Sequence, residues 1–139
     1  SETIRLPEIS MYASGVSAIP EVRAYLMEMQ RSFARTQNVI MDGRDIGTVV
    51  LPDAGLKIFL TASSEARARR RQLELENKGQ HVPFEEVLRE MEQRDKNDTS
   101  RAAAPLRAAE DAVRLDTTEL DFAGSCAAVE ALIRERFSL

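Results

Sequence analysis

The apolar residues of the chain follow two alternating spacings, one helical and one strand-like. Pro20 suits the first position of a helix. Beyond it, apolar side chains recur every three or four residues and predict an amphipathic helix: Val22, Leu26, Met29 and Phe33. Short apolar runs at residues 39–41 and 56–60 predict two buried strands, and the sequence AVRLDTT at 112–118 predicts a third.

Two helices are predicted between the second and third strands. Ser63 or Ser64 caps the first of them, which runs to about Lys78 and stops at Gly79. Apolar residues at helical spacing mark the second, which we expect to fray into the polar stretch 94–101: Phe84, Val87, Leu88 and Met91.

A last helix is predicted near the end of the chain. The stretch from Thr118 to Asp121 resembles a capping box, with Thr118 as the favoured cap. The residues expected to face inward from this helix are Cys126, Val129, Ile133 and Phe137. Because the predicted strands are separated by helices, the pattern indicates an α/β domain with a parallel sheet.

Three charged residues interrupt the apolar pattern directly after the first predicted strand, in the sequence Asp42-Gly43-Arg44-Asp45. Ligands of open α/β sheets bind beyond the carboxyl ends of the strands. There, Arg44 offers a planar fork for phosphate oxygens, Asp42 could hold a metal ion directly or through water, and Asp45 could accept a hydrogen bond from a ligand. An Asp–Arg salt bridge that closes a turn is the alternative interpretation.

Other arginines lie near the ends of predicted elements, where they could converge on one cleft: Arg23, Arg94 and Arg101. The stretch 93–101 alternates acids and bases, which suits either a mobile lid over a polyphosphate or a solvated loop. The run RARRR at 67–71 could contact nucleic acid. A solvated helix face with one or two arginines reaching a nucleotide phosphate is the favoured interpretation, since acidic residues flank the run.

Composition narrows the class of protein. The 139 residues, 43% of them hydrophobic, suit one domain, and a net charge of −4 argues against a general binder of nucleic acid or membrane surfaces. A single cysteine excludes a disulfide framework. Without a signal peptide or an apolar run of transmembrane length, we expect a cytoplasmic protein. The chain begins with Ser1, so either processing or a longer parent protein is expected.

Five segments of the chain resemble the bacterial cytidylate kinases, which are P-loop nucleoside monophosphate kinases: ASGVSAIPEVR at 13–23, DGRDIGTVVLPDA at 42–54, KIFLTASSEARARRR at 57–71, RDKNDTSRAAAPL at 94–106 and RLDTTEL at 114–120. The resemblance implies a three-layer α/β fold with a parallel sheet, truncated at its N-terminal side. Residues 1–139 would be the C-terminal part of the kinase domain. They would comprise a monophosphate-site helix, core strands, a lid at about 79–105 and the C-terminal helix.

The resemblance also implies a reaction, the transfer of the γ-phosphoryl group of ATP to CMP or dCMP with Mg²⁺. It assigns the following residues to the substrate: Ser14, Arg23, Arg44, Asp45, Arg94, Asp98 and Arg101. Ser14 and Arg23 would line the monophosphate site, and Arg44 would bind the phosphate. Arg23, Asp45 and Arg101 would read the cytosine edge, while Ser14, Arg94 and Asp98 would hold the pentose.

The resemblance assigns three residues to catalysis beside Arg44. Asp42 would lie near Mg²⁺, holding it indirectly, and Arg70 and Arg71 would approach the ATP phosphates as lid arginines. Neither GxxxxGK[ST] nor GxGxxG occurs among the six glycines, so the ATP site is incomplete in these residues. We therefore expect this chain alone to lack useful kinase turnover.

Two alternatives to an active enzyme stay open from the sequence. The chain could be a non-catalytic fragment that binds cytidine nucleotides, or a subunit that needs a partner segment. The family resemblance implies a monomer. A sheet that lacks a central strand nevertheless exposes unpaired edges, and self-association is one way to cover them. No nucleic-acid or membrane partner is expected.

Overall fold

The computed structural model describes residues 9, 12, 13, 15, 16, 19–100 and 105–139. The chain divides into two units, Ser1–Asp42 and Gly43–Leu139. The polar segment 1–10, which its sequence predicts to be a loop or a short edge strand, lies outside the described residues except for Ile9.

Helix α1, Pro20–Thr36, is the main element of the first unit. Pro20 occupies the first turn as predicted, and Glu21 in the first turn and Arg35 in the last complement the helix dipole. The apolar stripe is present, but α1 contributes no buried residue, and Met29 and Phe33 are 39% and 44% exposed. The helix was therefore predicted correctly, whereas burial of its apolar face was not found.

The strand predicted at residues 39–41 is wrong, because these residues form no regular element and Ile40 is 91% exposed. A strand exists only when its backbone groups pair with a neighbour. Within the described ranges, the only strand ladder joins two other segments, so this apolar run has no strand beside it.

The sheet of the second unit consists of two parallel strands, β1 Ile58–Thr61 and β2 Val113–Asp116. Their register pairs Ile58 with Val113 and Thr61 with Asp116. The ladder continues one step past each end, since Val113 N–H donates to the Lys57 carbonyl at 2.9 Å and Thr117 N–H donates to the Thr61 carbonyl at 2.8 Å. Both strands and their parallel pairing were predicted from the sequence.

Helix α2, Ser64–Asn77, follows β1. Ser63 is its N-cap, because its hydroxyl accepts from the Ala66 N–H at 3.1 Å. Gly79 ends the helix with φ of +76°, and the next residue's N–H reaches back to the Leu75 carbonyl. The predicted start and stop of this helix are confirmed.

Helix α3, Phe84–Ser100, continues through the stretch that was expected to fray. That stretch is rich in charged residues, and two of its carboxylates are fixed by arginines from other segments, Asp95 by Arg67 and Asp98 by Arg44. Such tertiary contacts stabilise a helix end whose local sequence does not by itself favour a helix.

Helix α4, Phe122–Phe137, begins at a different cap from the predicted one. Asp121 caps it by accepting from the Gly124 N–H at 2.7 Å. Thr118 instead donates to Asp116 and accepts from the Ser63 N–H at 2.9 Å. The cap prediction is wrong because an aspartate adjacent to the helix competes successfully for the free N–H groups.

The buried hydrophobic residues among those described are Val50, Ala68 and Val87. Helices α2 and α3 pack against each other, and each supplies one of these residues. The inward orientation predicted for Cys126 and Phe137 is wrong, since Cys126 is exposed and Phe137 is 52% exposed. No helix within the described ranges is both long and apolar enough to cross a membrane.

Candidate functional site

The charged turn before residue 46 is held by an unusual helical turn. Residues Ile46–Val50 form a π-helix, in which the Leu51 N–H donates to the Ile46 carbonyl at 2.7 Å. The Asp45 carbonyl accepts from the N–H groups of three residues, Thr48, Val49 and Val50. Val50 is buried and anchors the far end of the turn. The backbone at Asp45, next to Arg44, is thereby fixed in place, and π-helical turns of this kind are frequent at functional sites.

Gly43 is required by space. A Cβ at this position would lie 2.8 Å from Cγ1 of Ile46, closer than real Cβ contacts. The absence of a side chain lets the chain pass over Ile46 and deliver Arg44 toward α3.

Arg44 pairs with Asp98 across 54 positions of sequence. Its Nε donates to Oδ2 of Asp98 at 2.5 Å, and the side chains of Arg44 and Asp98 are 38% and 6% exposed. Arg94, one turn earlier on α3, places its Nε 4.0 Å from the same oxygen and is itself 65% exposed. A buried carboxylate thus lies beside two guanidinium groups, one of them open to water. This brings together three of the residues that the sequence singled out.

The remaining predicted substrate residues lie elsewhere or outside the described residues. Arg23 is half-buried in the first turn of α1, and Asp42 is exposed at the end of that first unit. Asp45 is half-buried beside Arg44. Ser14 and Arg101 lie outside the described residues.

Arg70 and Arg71 have separate environments. Arg70 donates from its terminal nitrogens to the Thr117 carbonyl, to the Thr117 hydroxyl at 3.3 Å and to the Leu120 carbonyl at 3.0 Å. It therefore ties α2 to the turn that follows β2. Arg71 pairs with Glu74 at 2.7 Å on the exposed face of α2. Their approach to a nucleotide phosphate stays a prediction.

The other arginines of the run at 67–71 are also engaged within the chain. Arg69 lies over the Phe84 ring at 5.1 Å, a cation–π contact between α2 and the start of α3. Arg67 binds Asp95 through two parallel hydrogen bonds, of 2.9 and 2.5 Å. A dense basic run therefore serves internal contacts, which accounts for its density without a nucleic-acid partner.

Sequence reasoning missed the Arg67–Asp95 pair. Hydrogen bonding to Arg67 lowers the pKa of Asp95, and the same bond raises the pKa of Arg67. The available signal was the spacing of Asp95 and Asp98, which places two acids on one helix face. Their partners lie too far away in sequence for any local pattern to reveal them.

The donor set for a metal ion is sparse. In the part of the chain that the structure describes, no three His, Cys, Asp or Glu side chains form a group that could hold a metal. Asp42 is a single exposed carboxylate. Mg²⁺ is commonly bound by one or two carboxylates together with substrate phosphates and water, so one carboxylate fits a shared site of that kind.

Comparison with known proteins decides the family. The cytidylate kinase family model matches residues 1–135. The chain belongs to the cytidylate kinase family.

Individual members of the cytidylate kinase family agree with this assignment. The cytidylate kinase of Caldicellulosiruptor saccharolyticus is 58% identical over 120 residues, which are 86% of this chain and 53% of that protein. That of Thermosipho melanesiensis is 50% identical over 136 residues, or 98% of this chain and 63% of the relative. That of Methylocella silvestris is 57% identical over 119 residues, or 85% and 55%. The chain thus spans between about half and two thirds of the length of these relatives.

The predicted bacterial cytidylate kinase resemblance and the α/β fold class of P-loop nucleoside monophosphate kinases are confirmed by the family match together with the parallel strands. The individual substrate and catalytic roles stay predictions.

Proposed function

We propose that this chain forms the monophosphate-binding part of a cytidylate kinase, whose reaction transfers the γ-phosphoryl group of ATP to CMP or dCMP. The observation that carries the proposal is the buried Asp98 carboxylate beside Arg44 and Arg94. A carboxylate fixed in this way can accept hydrogen bonds from pentose hydroxyls, and the half-buried Arg44 and the exposed Arg94 offer guanidinium donors to a phosphate. The family match supports the assignment.

Arg44 is proposed to bind the substrate phosphate. Its Nε is committed to Asp98, which orients the guanidinium plane and leaves its terminal nitrogens for phosphate oxygens. Arg94 and Asp98 are proposed to hold the pentose, a role that the family resemblance also assigns to Ser14. Because the Asp98 carboxylate is fixed before ligand arrives, less ordering accompanies binding.

Asp45 is proposed to read the base. A carboxylate accepts a hydrogen bond from the 4-amino group of cytosine, whereas uracil presents a carbonyl at that position and would be repelled. Arg23 and Arg101 donate to the ring carbonyl and N3. The three backbone hydrogen bonds to the Asp45 carbonyl support this role, since they hold the residue rigidly.

The catalytic assignments concern the phosphates. Asp42 would hold Mg²⁺ indirectly, and the ion, when bound, would neutralise charge on the phosphates. Arg70 and Arg71 would approach the ATP phosphates after a lid at about 79–105 closes. Arg70 would first have to release the carbonyls it now contacts, whereas Arg71 would exchange only an exposed ion pair with Glu74.

ATP binding and turnover require more than these residues supply. Neither glycine-rich motif occurs in the 139-residue sequence, and in P-loop kinases a loop of that kind cradles the nucleotide phosphates. We infer that the isolated chain has no useful turnover. A second candidate is a non-catalytic cytidine-nucleotide-binding fragment, or a subunit completed by a partner segment, since neither phosphate-loop motif occurs in these residues. A cytoplasmic location fits both candidates.

Calorimetric titration with CMP, UMP and AMP tests the proposal. We expect the chain to bind CMP in preference to UMP, and Asp45→Ala to abolish that preference. Asp53→Ala is the matched control, because Asp53 is an exposed acid in a nearby turn of the same unit. Failure of the unaltered chain to prefer CMP would overturn the base-reading assignment. CDP formation by the isolated chain in a coupled assay would overturn the inference of inactivity.

A further inference from the structure

We propose that Arg67 and Asp95 are positioning residues that fix Asp98 against Arg44 and thereby set the geometry of the pentose and phosphate contacts. The proposal rests on the function proposed above for Asp98 and Arg44. Neither Arg67 nor Asp95 is assigned a contact with the substrate. They act through the placement of helix α3.

Arg67 is anchored at the end of β1. Its Nε donates to the Ala62 carbonyl at 3.1 Å, directly after the strand, and one terminal nitrogen donates to the Ser64 hydroxyl at 3.1 Å. The remaining donors form the forked pair with Asp95. A guanidinium that donates four hydrogen bonds has little conformational freedom, so it fixes α3 relative to the end of β1.

Asp95 and Asp98 are three residues apart on α3 and therefore lie on neighbouring positions of one face. Each accepts an arginine from a different preceding segment, Arg67 from the first turn of α2 and Arg44 from the turn before the π-helix. The two ion pairs together fix the rotation of this part of α3 about its axis and its position along that axis. Breaking the Arg67–Asp95 pair should let the helix rotate or fray, and the Arg44–Asp98 pair should then be formed less of the time.

Local order supports a role in this half of α3 in particular. The start of α3 is fixed to α2 by other contacts, namely the buried Val87 and the Arg69–Phe84 stacking. Beyond Val87, the buried residue of α3 among those described is Asp98 itself, so the arginine pairs take the place of an apolar anchor there. A helix end held by polar contacts opens more readily than one held by apolar packing.

The direct test is the hydrogen exchange of the Arg44 Nε–H, followed by NMR on ¹⁵N-labelled protein and assigned through Arg44→Lys. In Asp95→Asn we expect exchange to accelerate about tenfold, because the bond to Asp98 is made less of the time. Arg67→Lys, which keeps the charge but loses the fork, should give a smaller acceleration. Glu130→Gln is the control, since it removes an ion pair with Arg134 at 2.7 Å within α4, a helix to which neither proposal assigns a role.

The ligand readout separates positioning from base reading. Asp95→Asn should weaken CMP binding about fivefold while leaving the preference for CMP over UMP unchanged, because Asp45 is untouched. Unchanged Arg44 exchange in Asp95→Asn would overturn the positioning role. Loss of helical circular dichroism in both Asp95→Asn and Arg67→Lys would also overturn it, in favour of a purely structural role. Failure of the unaltered chain to bind CMP would overturn the proposed function. The exchange experiment would still decide whether the Arg67–Asp95 pair positions Asp98.

Discussion

The pairing of Arg44 with Asp98 predicts unequal effects from removing its two partners. Asp98 has a side chain that is 6% exposed, whereas 38% of the Arg44 side chain is exposed. In Arg44→Met, a carboxylate that water barely reaches loses a charge-assisted hydrogen bond of 2.5 Å, and the Arg94 Nε lies 4.0 Å away. In Asp98→Asn, an amide oxygen can still accept, and Arg44 can turn to water. The first change should therefore be the more destabilising.

The magnitudes follow from burial. Leaving a buried charged group without its main hydrogen bond costs about 2–3 kcal/mol, and replacing a charged acceptor by a neutral one costs about 1 kcal/mol. Arg44→Met should thus lower the free energy of unfolding by roughly 1–2 kcal/mol more than Asp98→Asn does. The double variant should be less destabilised than the sum of the two, since neither group is then left facing an absent partner.

Urea unfolding measures this difference, provided that the probe reports on the second unit. The two tyrosines, Tyr12 and Tyr25, both lie in the first unit and are unsuitable. Cys126 is the single cysteine, is exposed on α4 and accepts a fluorescent label. Equal destabilisation by both variants, or a larger effect of Asp98→Asn, would refute the argument from burial.

Two further predictions concern α2 and its neighbours. Gly79→Ala should lower the free energy of unfolding by about 1 kcal/mol in the same urea assay, because alanine rarely adopts the φ of +76° found there. No atom lies within 4 Å of the new Cβ, so backbone strain and not a clash would cause the loss. An unchanged midpoint would show that the backbone relaxes. Asp95 has a pKa below its ordinary value of 3.8 in the folded chain, so its pair with Arg67 should stabilise the protein above about pH 4 and lose that effect as the pH falls through the lowered pKa. NMR titration of the Asp95 carboxyl measures this pKa, and a value at or above the ordinary one would contradict the pairing. The pKa of Glu74 is lowered to about 2 by hydrogen bonds from Lys78 and Arg71, but these exposed pairs are screened by water and should contribute little stability. Glu74→Gln should therefore leave the urea midpoint nearly unchanged, and a clear shift of that midpoint would contradict this.

Much of the fold could be predicted because its signals are local. Helical spacing after Pro20, a serine before α2 and a glycine after it are physical causes that act within a few residues. The parallel strands followed from alternation with helices, and their pairing is now seen. The strand at 39–41 failed for the opposite reason, since apolar residues alone do not make a strand without a neighbour to pair with.

The sequence identified several residues of the site, but not the ion pairs that join them. The charged turn at Arg44 stood out because charge at the end of an apolar run is unusual. Its bond to Asp98 depends on how α3 lies against the turn, and the length of α3 itself depends on that bond. The Arg67–Asp95 pair has the same character, so neither the extent of this helix nor its arginine contacts could be derived from local propensity.

The π-helical turn at Ile46–Val50 has a consequence for changes in chain length. Its wide turn holds one residue more than an α-helical turn closed between the same ends would need. Removing one residue there would restore ordinary α-helical hydrogen bonds, so the backbone would tolerate the deletion. Yet each residue of a helix turns the chain by about 100°, and Arg44 would then leave the buried anchor at Val50 in a different direction. A deletion that the fold accepts would in this way disconnect Arg44 from Asp98.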